Sequence, residues 1–162
     1  MNQDLADELH RRADADQAAR LHWQETRETS NIPGVDEDNT AWLKSVIAKH
    51  GWPGISLVGE QGAREAWLLA QHADRDPTFQ EKALELLKTA VTAGDALPEN
   101  LAYLTDRVLI ARGQPQLYGT QYTGDRGTLR RQPVTDPERL DERRAAMQLD
   151  TAAESDRRMN AL

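Results

Sequence analysis

The chain has no cysteine. That absence removes disulfides, thiolate metal sites, iron–sulfur clusters and cysteine nucleophiles together, so any chemistry must come from His, carboxylates, hydroxyls and amides. Basic residues are in the minority, with 20 Lys and Arg against 27 Asp and Glu and a formal charge of −7. Such a chain lacks the broad basic face that DNA, RNA or anionic lipid requires, and no nucleic-acid partner is expected. Long apolar runs are also missing. Nothing approaches the roughly 20 apolar residues of a membrane span, and the opening Met1–Gln17 has no apolar signal-peptide core. The expectation is a cytoplasmic protein with no membrane partner. Aromatic residues make up 5% of the chain, and the spacing of its four tryptophans does not assign them to core, pocket or interface.

What is present is helical periodicity, and 162 residues suit one domain with a sizeable core. A first helix over about residues 2–28 carries only Leu5, Leu9, Ala13 and Leu21 among many charges, so it is expected on the outside. Asn31-Ile32-Pro33-Gly34 reads as an interruption. A second helix begins near Asp38 or Asn39, carries Trp42, Leu43, Val46 and Ile47 on one face and stops at Gly51. Ile55–Gly59 reads as a lead-in to a third helix over about 60–73, whose centre Ala66–Ala70 is apolar on every side. Asp76-Pro77 opens a fourth helix ending at Gly94, and Pro98 opens a fifth ending at Gly113. Leu117–Tyr122 and Thr128–Gln132 flank Gly124-Asp125-Arg126-Gly127, a hairpin signal. Thr135-Asp136-Pro137-Glu138 starts a last helix through Leu140 to Met147. The predicted fold is mainly α, a single-domain bundle of about six helices over residues 1–150. One β-hairpin precedes the last helix, and 151–162 form a polar C-terminal tail.

His72 is the most reactive-looking residue. It shares a helix face with Leu68 and Leu69 while Asp74 and Asp76 follow, so a half-buried imidazole has carboxylates in reach. A core histidine bonded to a carbonyl, or a cation at a helix C-terminus, explains the same position. His50 closes the second helix, and His10 and His22 read as solvated. Asp106 and Arg107 sit mid-helix, where charges need partners, and a structural ion pair accounts for them. Asp16, Gln17 and Arg20 have the spacing of a surface i,i+4 pair. Tyr118-Gly119-Thr120-Gln121 gathers a phenol, a hydroxyl and an amide around a flexible glycine, suiting either a ligand rim or a glycine bulge. No metal-ligand spacing, phosphate-binding loop or nucleophile elbow occurs. No metal or other cofactor is therefore expected.

His50-Gly51-Trp52-Pro53, Gln71-His72-Ala73-Asp74, Asn100–Val108 and Tyr118-Gly119-Thr120-Gln121, in this order, resemble a bacterial family of unknown function over about residues 4–150. The resemblance implies a bacterial cytosolic protein and no particular reaction. The polar positions falling in its blocks are Asp16-Gln17, His50, Gln71-His72, Asp74, Asp106-Arg107 and Tyr118 through Gln121.

Two functions from different classes fit these residues. One is a small cofactor-independent enzyme, a hydrolase or cyclase, acting on an amide- or ester-containing small molecule by hydrolysis, cyclisation or proton transfer. In it His72 is the general acid or base, Asp74 or Asp106 orients it, and His50, Gln71, Arg107, Tyr118, Thr120 and Gln121 bind the small-molecule or peptide-like substrate. The other is a non-catalytic helical ligand- or peptide-binding module built from the same residues.

Overall fold

A computed structural model describes residues 1–28 and 31–161. Among them are seven α-helices and one two-strand antiparallel sheet lying before the last two helices. The chain is mainly helical with a hairpin late in its course, as its periodicity predicts. None of the described helices is long and apolar enough to cross a membrane. Backbone contacts gather into two compact units, residues 1–97 and 98–162.

The first unit contains α1 (Gln3–Thr26), α2 (Ile32–His50), α3 (Ile55–Gln71) and α4 (Pro77–Thr92). Helix α1 packs against both α2 and α3 through a thin buried stripe and leaves most of its surface exposed, as its composition predicts. Its buried stripe runs Leu5, Leu9, Ala13 and Asp16, a helical spacing in which a carboxylate occupies the fourth position. Leu43, Val46 and Ile47 of α2, Ala63, Ala66, Leu69 and Ala70 of α3, and Phe79, Ala83 and Leu87 of α4 supply the rest of the core. The start of α2 is a correction. It begins at Ile32, with Pro33 in the first turn. Proline is tolerated there because the first N–H groups of a helix have no intrahelical acceptor. The earlier start places Asp36 on α2 beside α1.

The lead-in to α3 is a single helical turn that breaks at Gly59, where φ is 76° and ψ is 170°. Only glycine adopts that conformation without strain. Downstream of it the helix runs to Gln71 and is closed by His72. Helix α4 opens as predicted, with Asp76 accepting the Phe79 N–H at 3.0 Å and Pro77 in the first turn.

The second unit contains α5 (Pro98–Ala111), β1 (Tyr122–Thr123), β2 (Arg130–Arg131), α6 (Leu140–Ala146) and α7 (Ala152–Asn160). The strands are shorter than their sequence pattern suggests, pairing only Tyr122 with Arg131 and Thr123 with Arg130. Residues 117–121 are not in the sheet: an α5 carboxylate takes the N–H groups of Leu117, Tyr118 and Thr120, and the Gln116 side chain takes that of Gln121. The polar tail is also corrected, since it folds as α7. A reciprocal cap explains this: the Thr151 hydroxyl accepts the Glu154 N–H, and the Glu154 carboxylate accepts the Thr151 N–H at 2.9 Å. Arg144 of α6, 1% exposed, donates to the carbonyls of Tyr118 at 2.7 Å and Asp150 at 2.6 Å and to the Asp150 carboxylate at 2.8 Å.

The Lys44 ammonium and the Phe79 N–H hold the Asp76 carboxyl below its ordinary value. A carboxylate favoured in the folded state stabilises it above the unfolded pKa, about 4, and loses that effect as pH falls through the lower folded value. Asp76→Ala is therefore expected to lower stability by about 1 kcal/mol at neutral pH. In urea denaturation the gap from wild type should close as pH drops below about 4. A gap unchanged between pH 7 and pH 3 would contradict the ionic part of the cap.

Candidate functional site

Asp16 is where α1 turns from apolar to polar without leaving the core. Its side chain is 1% exposed, and an ionised carboxylate so placed must be paired and fully hydrogen-bonded. Arg20, one turn later, donates from Nη1 to Oδ1 at 2.8 Å, and Gln17 donates from Nε2 to Oδ2 at 2.8 Å. The third partner is His72, whose Nδ1 lies 2.8 Å from Oδ1 and 3.0 Å from Oδ2. An ionised carboxylate can only accept, so Nδ1 donates to it, and whenever the ring is neutral Nε2 holds the lone pair.

The guanidinium of Arg20 also reaches Asp36 of α2, donating from Nη2 to Oδ2 at 3.1 Å. One guanidinium thus serves two carboxylates. Burial pushes the Asp36 carboxyl above its ordinary value, and Arg20 offsets only part of that effect. Asp36 and His72 line one cavity of about 260 Å³ together with Glu37, Thr40, Lys44 and Asp76. His72 is 15% exposed there, and Nε2 has no hydrogen-bond partner among the described residues.

One ligand-type atom from each of Asp16, Asp36 and His72 falls within 4.8 Å of the other two. Arg20 already bridges the two carboxylates, and Nδ1 of His72 is turned onto Asp16. A cation would have to displace that guanidinium, so the donor set does not fit a metal.

The other anticipated residues separate into two groups. Within the first unit, Asp74 accepts from Gln80 Nε2 at 3.1 Å, while the same amide donates to the Ala70 and Gln71 carbonyls at 3.2 Å and so closes the C-terminus of α3. The carboxylate that orients His72 is therefore Asp16, because α3 ends with its histidine facing α1 while Asp74 lies beyond the helix end. Gln71 is buried, and His50 is exposed at the end of α2 and is not among the residues lining the His72 cavity.

Within the second unit, Asp106 is fully buried and its carboxylate organises the Tyr118–Gln121 turn. It accepts from the N–H groups of Leu117 at 2.8 Å, Tyr118 at 3.0 Å and Thr120 at 3.0 Å, and from the Thr120 hydroxyl at 2.8 Å. Burial pushes this carboxyl up, and the donated hydrogen bonds pull it part of the way back. Gln121 donates to the Thr120 hydroxyl at 3.0 Å and accepts from Arg107 Nη1 at 3.1 Å. Gly119 has a φ of 65°, and a Cβ there would come within 2.8 Å of Arg131 Cδ. The polar groups of Thr120 and Gln121 thus build the turn, whereas the half-buried Tyr118 hydroxyl makes no hydrogen bond among the described residues.

Asp16, Arg20 and Asp36 were missed as site residues, as were the turn-holding Gln116 and Gln80. The signal for Asp16 was in the chain: it completes the 5, 9, 13 stripe. Gln116 accepts the Gln121 N–H at 2.9 Å and donates to the Gln121 and Gln132 carbonyls at 3.0 and 2.8 Å, a role with no local sequence signature.

Fold and geometry together define a mainly helical protein with a buried carboxylate–histidine dyad beside a small cavity. The chain belongs to a family of unknown function, DUF6624, whose model matches residues 3–161. No curated protein and no solved structure matches it.

Asp106→Ala would strand several buried backbone donors, each worth roughly 1–3 kcal/mol when left unsatisfied. The expected outcome is a loss of at least about 3 kcal/mol in urea denaturation, with hydrogen-exchange protection lost at the amides of Leu117, Tyr118 and Thr120. Unchanged protection at those amides would contradict the assigned role.

Proposed function

We propose that this chain is a small cofactor-independent enzyme in which His72 acts as general base or acid on an amide- or ester-containing small molecule. The observation that carries the reading is the asymmetric environment of one ring: Nδ1 is held by the buried Asp16 at 2.8 Å, while the ring lines a cavity of about 260 Å³. Such an arrangement supports proton transfer at Nε2. The carboxylate fixes the tautomer and stabilises the imidazolium formed when the ring takes a proton. Asp16 itself is out of reach of a substrate and is a positioning residue. Hydrolysis then consists of proton abstraction from water by Nε2 and attack of its oxygen on the carbonyl carbon. A cavity of this size admits a small molecule or the end of a peptide-like chain.

The chemistry of the cavity walls favours a polar substrate. Lys44 and Arg75 face Asp76 and Glu37 across it as ion pairs, so charged groups of either sign on the substrate find a partner.

The test uses a panel of defined amides and esters followed by chromatography and mass spectrometry. Wild type is expected to turn over at least one class, and His72→Gln to lose about 100-fold or more in kcat/KM. Asp16→Asn is expected to lose activity with KM little changed, because it leaves the ring in place with the wrong tautomer favoured. Binding of a panel member with no turnover by wild type, or equal rates for wild type and His72→Gln, would overturn the enzyme in favour of the ligand-binding module.

A further inference from the structure

We infer that Asp36 is the proton donor of this site, delivering a proton to the leaving group while His72 takes one from the attacking water; the inference rests on the reading of His72 as general base. The role needs a carboxyl group that faces the same cavity as His72, is largely withdrawn from water and shares its cation with another carboxylate. Asp36 meets each condition. It lines the cavity with His72, its side chain is 12% exposed, and an oxygen of it lies within 4.8 Å of ligand-type atoms of both His72 and Asp16. Oδ2 accepts a hydrogen bond from Arg20 Nη2 at 3.1 Å, and the buried Oδ1, ion-paired 3.0 Å from the same nitrogen, has no hydrogen bond of its own.

No other carboxyl of the site can take the part. Asp16 has both oxygens engaged by Arg20, Gln17 and His72. Glu37 and Asp76 are more exposed and paired with Arg75 and Lys44. The charged groups facing Asp36 are Arg20 and Asp16 from α1 and His72 from the end of α3. The like charge of Asp16 opposes ionisation of Asp36, and Arg20 is shared between the two. Two carboxyls with opposed tasks in one site are a known route to simultaneous acid and base chemistry.

The step balances as follows. His72 Nε2 takes a proton from water, the water oxygen bonds to the carbonyl carbon, and the carbonyl π pair moves onto oxygen. On collapse that pair returns, the bond from carbon to the leaving nitrogen or oxygen breaks, and the leaving atom receives the Asp36 proton. A carboxylic acid and an amine or alcohol result. His72 is then protonated and Asp36 ionised, and transfer of one proton from His72 to Asp36 resets the site. The substrate class follows from this: unactivated amides and alkyl esters, whose leaving groups cannot depart unprotonated.

Leaving-group dependence tests the assignment. Acetyl, benzoyl and glutaryl derivatives are prepared with p-nitrophenol, methanol or ammonia as leaving group, and kcat/KM is measured for wild type, Asp36→Asn, Asp36→Glu and His72→Gln, with urea midpoints confirming folded protein. Asp36→Asn is expected to lose about 100-fold on methyl esters and amides and at least about tenfold less than that on p-nitrophenyl esters, which need no proton donor. Asp36→Glu is expected to restore part of the amide activity. His72→Gln should lose all three classes together. If Asp36→Asn falls equally across leaving groups, or not at all, while His72→Gln is inactive, the Asp36 assignment is overturned and the reading of His72 stands. No His72-dependent turnover in any series would overturn the reading of His72 and the role of Asp36 with it.

Discussion

A carboxylate buried at a helix interface must find donors for all its lone pairs, and in the first unit Asp16 imposes that condition on three helices. Asp16 is 0% exposed, and leaving such a charge unpaired is far more expensive than ordering the side chains that satisfy it. Gln17 and Arg20 come from its own helix, but its remaining capacity is filled only by a ring arriving from the end of α3. The same Arg20 extends the arrangement to Asp36 of α2. The orientation of His72 toward α1 is therefore a consequence of that charge, while the packing of α1 against α2 and α3 also buries Leu5, Leu9 and Ala13.

The second unit uses the same principle on a backbone. Asp106 collects N–H groups from Leu117, Tyr118 and Thr120, while Arg144 collects the carbonyls of Tyr118 and Gly119 from the other side. The turn is held by opposite charges on α5 and α6 instead of by a sheet. This explains why a sequence with strand-like residues at 117–122 keeps only two paired positions per strand. It also accounts for a glycine at 119, where the positive φ and the adjacent Arg131 leave no room for a side chain.

Both carboxylates resemble catalytic residues when only burial and hydrogen bonding are considered, yet their roles differ. Asp106 is consumed by the backbone it organises. Asp16 spends one interaction on a titratable ring that itself reaches a cavity, and that difference directs the functional reading to the first unit. Asp36 stands between these cases, ion-paired with an Arg20 that it shares with Asp16 and with one oxygen left without a hydrogen bond. A proton-transfer site needs both a group held rigidly and a group left incomplete.

Helix positions were legible in the chain wherever local rules decide them. Asp76-Pro77, Pro98 and Gly51 are caps and stops whose effect depends on nearby backbone groups, and each acts where expected. His72 was legible as unusual because it shares a face with leucines near carboxylates. Its partner was not: Asp74, two residues away, looks better placed than Asp16, 56 residues away, and nothing local distinguishes them. The Asp16–Arg20 spacing has the same form on a solvated helix face as in a buried pair, and Pro33 has the same form as a helix breaker and as a first-turn residue. By itself, then, the sequence determined the helical class, most caps and the absence of thiol chemistry, since these depend on residue type and short spacing. Only the tertiary structure decided that Asp16 is buried, that Arg20 is shared and that His72 and Asp36 line one cavity. Those facts depend on which helix faces meet, and hence on desolvation and contacts between distant residues.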